Sequence, residues 1–342
     1  MTKCKLCNIN DANKKGSHIV PHFLLKRIEN IEGRTERDYE LGFTIEKYKV
    51  SSHFGRSVQP EKLDDIYGEL SDEDIEKNQH PLVVDNIFCS ECEMRFSIVE
   101  NEYSKTINNT GTEEYESGTD CAVGILFWGS ILWRMSINGK SGVKLKSEEN
   151  ELLRGILNQF LPHDIEKLDR KAMNENKLIK LISYKLLRCS DCKKDDLKWL
   201  LFHPEFNTPL CLFIDEFILA FDLNGKFDDI ETVDCFGANE LLIKATTNKI
   251  DAQEKIEPYD SSVFKSITKK LSEKAKEEFA SGIDETLNCI HVAAGGEGDI
   301  MPAEISEEII SELSSEEKKL GRKYTQNELV NVSIRVMKKY AP

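Results

Sequence analysis

The chain has 342 residues, of which 39% are hydrophobic and 31% charged, and its formal net charge at pH 7 is −15. This composition excludes an intrinsically disordered chain, and the length suits two domains. The acid excess also argues against a broad nucleic-acid-binding face over the whole chain, because phosphate neutralisation needs basic patches.

The charge is unevenly spread. Residues 1–60 carry eleven Lys/Arg against seven Asp/Glu, and much of the acid lies further on, as in Asp64 to Glu76. The first basic stretch holds a Cys4-x-x-Cys7 pair, a polar loop from Asn8 to Gly16, and then Ser17-His-Ile-Val-Pro-His-Phe-Leu-Leu-Lys-Arg27. Residues 28–80 are polar and poorly periodic, broken by Gly33, Gly42 and Gly55, and read as an insertion with short elements. Residues 81–88 form a short strand-like run. Cys89-x-x-Cys92 follows, and Glu93 to Lys105 reads as a helix with Met94, Ile98 and Val99 on one face.

The polar, Gly/Thr-rich stretch 106–120 marks a domain boundary. Beyond it, helices are expected over 121–137, 147–160, 175–188 and 193–202, then again over 261–282 and 303–340. Apolar, β-prone runs at 210–223 and 239–247 suggest a β-hairpin, with Asn224-Gly225 as a turn signal. The run Cys121 to Leu132 is too short for the roughly 20 residues a bilayer requires, so a buried core helix is expected. Met1 to Lys5 lacks the apolar run of a secretory signal, so the expectation is a cytoplasmic chain with reduced thiols and no membrane association.

In that setting the ten cysteines read as ligands where they come in pairs. One CxxC turn presents two thiolates to a metal. Two such turns, Cys4/Cys7 and Cys89/Cys92, complete a tetrahedral structural zinc site. The long separation is tolerable, since loop closure costs only logarithmically in length. A third pair, Cys189-x-x-Cys192, has no second CxxC nearby. It reads as a turn with two thiols, although Cys211 and His203 could complete a site.

Between the two knuckles lies Ser17-His18-Ile19-Val20-Pro21. Here the chain resembles the HNH (ββα-metal) nuclease family, in the branch where two CxxC pairs bracket the active site. The resemblance covers residues 1–105 and is carried by Cys4/Cys7, His18, Pro21 and Cys89/Cys92. It implies His18 as the general base that deprotonates water, with Asn86 orienting it. It also implies Glu93 as a ligand to a catalytic Mg²⁺ or Mn²⁺. Ser17 stands where the family usually has a metal-binding Asp. Glu100 or Glu102, further along the same helix, could supply the missing charge. His22 shares the vicinity and reads as a packing residue.

The implied fold is α+β. A small zinc-bound ββα-metal module (1–106, with 28–80 inserted) precedes a larger, mainly helical regulatory or recognition domain (118–342) with a β-hairpin or small sheet. The implied function is metal-dependent hydrolysis of phosphodiester bonds, as in a bacterial defence or toxin-like effector. The partners would be nucleic acid (DNA ahead of RNA) and a protein partner or second copy. The alternative is a non-catalytic zinc protein that docks nucleic acid or a protein, with no second metal.

Overall fold

Strand β1 is only Ser17–His18, paired antiparallel with β4, Val83–Val84, so that Ser17 faces Val84 and His18 faces Val83. The structure, a computed structural model, describes residues 2–29, 41–46, 49–54, 82–139, 143–192, 199–207, 209–225, 227, 235–320 and 324–340. They fall in two compact units, Met1–Thr35 with Pro81–Lys269, and Glu36–His80 with Lys270–Pro342.

In the first unit Pro21 leads into α1, His22–Glu29. The chain returns through β4 to α2, Ser90–Ser104, whose first turn carries Cys92 and Glu93. Its buried face is Cys92, Arg95, Phe96, Val99 and Tyr103. The expected stripe through Met94 is corrected: Met94 is 47% exposed, two residues and about 200° round the helix from the buried Phe96. Strand β5, Tyr115–Asp120, precedes α3, Cys121–Asn138, which is capped by the Asp120 side chain at one end and by Gly139 in the left-handed region at the other. Among the described residues α3 is the one helix long and apolar enough to cross a membrane, yet 83% of it is buried inside the protein. Helices α4 (Ser147–Phe160) and α5 (Arg170–Glu175) follow.

The rest of the unit is a seven-stranded sheet. Its strands are β6 (Ser183–Cys189), β7 (Trp199–Asn207), β8 (Leu210–Asp215), β9 (Phe217–Asp222), β10 (Asn248–Lys249) and β11 (Gln253–Tyr259), together with β5; a short α6, Asn239–Lys244, comes before β10. The order is β5-β11-β6-β9-β8-β7, with β10 beside β6, and only the β11–β6 pair is parallel.

Three expectations change here. Residues 183–189 and 199–207 are strands and not helices, and 239–244 is a helix and not a strand. Every residue of β6 is buried, and a strand buried on both faces lacks the alternation by which periodicity could tell it from a helix. The two charged members of β6 are answered internally. Lys185 Nζ donates to the carbonyls of Leu242, Ile243 and Ala245 at the end of α6, and Arg188 pairs with Glu216. The tight hairpin turn lies at Asp215-Glu216, with Asp215 at φ +55°, and not at Asn224-Gly225.

One apolar core runs from Cys4 to Ile256 through this unit, so the boundary expected near 106–118 falls inside it. Phe88 and Phe96 pack on Trp133 of α3, and Arg154 of α4 donates to the carbonyl of Leu6. A buried polar cluster lies in the same interior: Tyr103, Trp128, Tyr184 and Glu254.

The second unit contains the antiparallel pair β2 (Leu41–Glu46) and β3 (Lys49–Phe54). Helix α7, Ser261–Ala293, starts in the first unit and continues into the second. Helices α8 (Ala303–Leu320) and α9 (Gln326–Tyr340) pack through Ile305, Ile309, Leu313, Val332 and Val336. The acidic stretch Asp64 to Glu76, together with His80 and residues 193–198, lies outside the described residues.

Candidate functional site

The first knuckle is shaped by its backbone. Cys4 N–H donates to Asn10 O at 2.9 Å, Asn8 N–H donates to Cys4 O at 2.9 Å, and Asn8 takes φ +56° to close the turn. The segment is then sutured to the distant second knuckle. Lys5 N–H donates to Ile87 O, Lys14 N–H to Phe88 O, and Asn86 N–H to Lys14 O. These bonds bring Cys4/Cys7 beside Cys89/Cys92.

Cys89 is the N-cap of α2, and its sulfur accepts from the Cys92 N–H at 3.5 Å. Asn10 Nδ2 also reaches that sulfur, at 3.7 Å. The four sulfurs all lie within 4.8 Å of one another, and Cys4, Cys89 and Cys92 are buried. A tetrahedron of Zn–S bonds has sulfur–sulfur edges of about 3.8 Å, so this cluster can hold a metal ion such as zinc. Its thiols perturb one another strongly. A hydrogen bond from Cys92 holds the Cys4 thiol down at about 4, while the bond to Cys4 and burial push Cys92 far above the usual thiol range. One proton shared among close sulfurs behaves this way, and a bound cation would relieve it.

Beside the cluster, β1 and α2 bring polar groups together. Ser17 is fully buried, and neither its Oγ nor Glu93 Oε2 completes a hydrogen bond. The two side chains are nonetheless close enough for the Ser17 hydroxyl to lower the Glu93 carboxyl's pKa. The net direction for Glu93 is upward. Burial is the largest cause, opposed by Arg134, Ser17 and Lys14 and assisted by Glu100. A pair of inward, unsatisfied oxygens from a hydroxyl and a carboxylate is the donor set a hard divalent cation takes.

His18 lies next to Ser17 and is half-buried, and its ring centroid is 5.1 Å from that of His22 at the exposed start of α1. The two imidazoles are therefore neighbours, where the sequence assigned His22 only a packing role. Glu100 lies two turns along α2 from Glu93 and forms an ion pair with Arg134, Nη2 to Oε1 at 2.7 Å. That contact lacks hydrogen-bond alignment at Oε1 and is chiefly electrostatic. Glu102 is elsewhere on the helix and pairs with Lys105 at 2.6 Å.

Asn86 is not placed to orient His18 through a described contact. It is exposed, at φ +57°, in the turn that follows β4. Asparagine tolerates the left-handed region better than most residues, which accounts for it there on backbone grounds alone.

No family model, no curated protein and no solved structure matches the chain. Arg134 also belongs to this constellation through Glu100 and the His18 carbonyl, without a site role expected from its sequence context. A single charge within a long apolar helix was the available signal.

The third cysteine pair is no metal site. Cys189 and Cys192 form a disulfide with Cα atoms 5.6 Å apart, and Cys211 bonds Cys235. Two cystines run against the expectation that every thiol is reduced.

Proposed function

We propose that this chain is an HNH-like, divalent-cation-dependent endonuclease that hydrolyses phosphodiester bonds, with DNA ahead of RNA as substrate. The observation that carries the reading is the closeness of Ser17 and Glu93, whose Oγ and Oε2 are both unsatisfied, with Glu93 following Cys92 of the four-cysteine cluster and His18 following Ser17 in β1. The strand pair β1/β4 followed by α2 supplies the two strands and helix of a ββα-metal site. Cys4, Cys7, Cys89 and Cys92 hold a structural zinc. Glu93 and Ser17 would hold Mg²⁺ or Mn²⁺, which would supply positive charge to the phosphate as the transition state forms.

The chain's own residues then have separate tasks. The His18 imidazole takes a proton from the attacking water. The new P–O bond forms as the bond to the departing oxygen breaks, and that oxygen takes a proton from solvent. Glu93 binds the cation, and burial of Ser17 keeps bulk water from that side.

A second reading is favoured by Ser17 itself. A hydroxyl is a weaker ligand than a carboxylate, and the chain is acidic overall. On this reading the zinc module only docks a nucleic acid or a protein partner. Plasmid cleavage in Mg²⁺ or Mn²⁺ separates the two. The nuclease reading expects cutting that falls at least about a hundredfold in His18→Ala. Equal cutting by wild type and variant rejects the assigned base, and absence of cutting with folded, zinc-loaded protein favours docking.

A further inference from the structure

Helix α3 is apolar along its length and contains one charged residue, Arg134. Arg134 is 1% exposed. A guanidinium at that depth is costly unless its donors are answered. Nε donates to Ser130 O at 3.2 Å, Nη2 to Ser130 Oγ at 3.2 Å, and Nη1 to His18 O at 2.9 Å. Nη2 also sits 2.7 Å from Glu100 Oε1, and the guanidinium carbon lies 4.8 Å from the centroid of the Phe96 ring. One side chain thus reaches both elements that build the polar site. It holds β1 through the carbonyl of His18, and α2 through Glu100. Glu93 feels the same positive charge through space.

Glu93 and Glu100 are seven residues apart, so they share a face of α2. Left alone, two carboxylates would give the site a charge of −2. Pairing with Arg134 cancels one of them. We propose that Arg134 is the built-in counter-ion of the cation site: it reserves Glu100, so that a divalent ion meets one uncompensated carboxylate, Glu93, together with the Ser17 hydroxyl. This rests on the cation site proposed above.

The consequence is functional. Carboxylate count sets divalent affinity, and a one-carboxylate site leaves most coordination positions to water and to phosphate oxygens. Such a site binds its ion weakly without substrate and completes its shell with the phosphodiester.

Mn²⁺ titration of the zinc-loaded full-length protein, followed by calorimetry or by the electron paramagnetic resonance of free Mn²⁺, tests the inference without any cleavage assay. Removing the counter-ion in Arg134→Gln tightens Mn²⁺ by about tenfold, and Glu100→Gln weakens it by about tenfold. The double variant, with two neutral amides, stays within about threefold of wild type. It strands no buried charge, so it folds even where Arg134→Gln alone does not, and zinc content and circular dichroism check this.

A double variant as weak as Glu100→Gln overturns the inference, because Glu100 is then a direct ligand. Unchanged affinity in a folded Arg134→Gln also overturns it. Mn²⁺ binding with this pattern but no DNA cleavage removes the nuclease reading and leaves the inference standing. Absence of Mn²⁺ binding in wild type and in every variant removes both.

Discussion

The Tyr103 hydroxyl lies 3.1 Å from each carboxylate oxygen of Glu254, deep inside the first unit. Tyr103 belongs to the last turn of α2, the helix whose first turn carries Cys92 and Glu93, and Glu254 belongs to β11. Tyr184 donates to the same carboxylate at 2.6 Å, and Trp128 Nε1 donates to the Tyr103 oxygen at 2.9 Å. The helix that begins at the cysteine cluster is therefore anchored at its far end to a buried acid.

That acid makes stability depend on pH. Burial raises the Glu254 carboxyl from 4.5 to about 7, against the pull of hydrogen bonds from Tyr184, Ser117, Tyr103 and Trp128. The folded state holds a proton that the unfolded state has released between these values. Stability from this group is fully present below 4.5 and is lost as pH rises through 7, by about 3 kcal/mol in all. Urea unfolding at pH 5 and pH 8 should show that slope in wild type and a flatter one in Glu254→Gln. Equal slopes would show that Glu254 does not carry it.

Gly124 of α3 leaves the space this cluster needs. A Cβ there would stand 2.0 Å from Tyr184 Oη and 2.7 Å from Glu254 Oε1. Gly124→Ala should cost about 2–3 kcal/mol despite the better helix propensity of alanine, because it breaks a buried network. A melt unchanged or raised relative to wild type would contradict that.

Zinc removal should act on the whole first unit and not on a detachable module, since Cys4, Cys89 and Cys92 belong to the same core as α3 and the sheet. A strong chelator, or Cys92→Ser, should lower the melting temperature by roughly 10 °C. The accompanying change should include the tryptophan fluorescence of Trp133, which touches Phe88 and Phe96. Zinc release with no thermal shift would mean that the knuckles hang free of the core.

The cysteines permit a count. Six are free (Cys4, Cys7, Cys89, Cys92, Cys121 and Cys289) and four are in disulfides. Alkylation of the denatured, zinc-stripped protein should add six groups without reductant and ten after reduction, read by mass. Ten groups without reductant would place the chain in a reducing compartment with its cystines open.

The parts of the site that could be read in the sequence were those fixed by ligand chemistry and local spacing. The CxxC pairs needed only short-range pattern, whereas Ser17, His18 and Glu93 were singled out by the resemblance to the HNH family; the structure brings the four cysteines together and Ser17 close to Glu93. What escaped depended on contacts remote in sequence. Arg134 meets His18 from 116 positions away, and no local signal reports such a partner. The sheet was missed for a related reason. Strand β6 is buried throughout and includes Lys185 and Arg188, whose charges are satisfied by α6 and by the β8–β9 turn. A strand with internal charges and no alternation looks helical until its neighbours are known. Asn224-Gly225 had good turn chemistry, yet the hairpin closes at Asp215-Glu216, where Arg27 also pairs with both acids, at 2.5 and 2.8 Å.

The two knuckles have a consequence for the order in which the protein can form. Cys89 is made 82 positions after Cys7. At ribosomal speeds that gap lasts roughly 4–16 s. During that interval the nascent chain has only half a ligand set, and β1 has no β4 to pair with. Any chemistry at Ser17, His18 and Glu93 is thereby withheld until synthesis passes the second knuckle, and a prematurely terminated chain cannot acquire it.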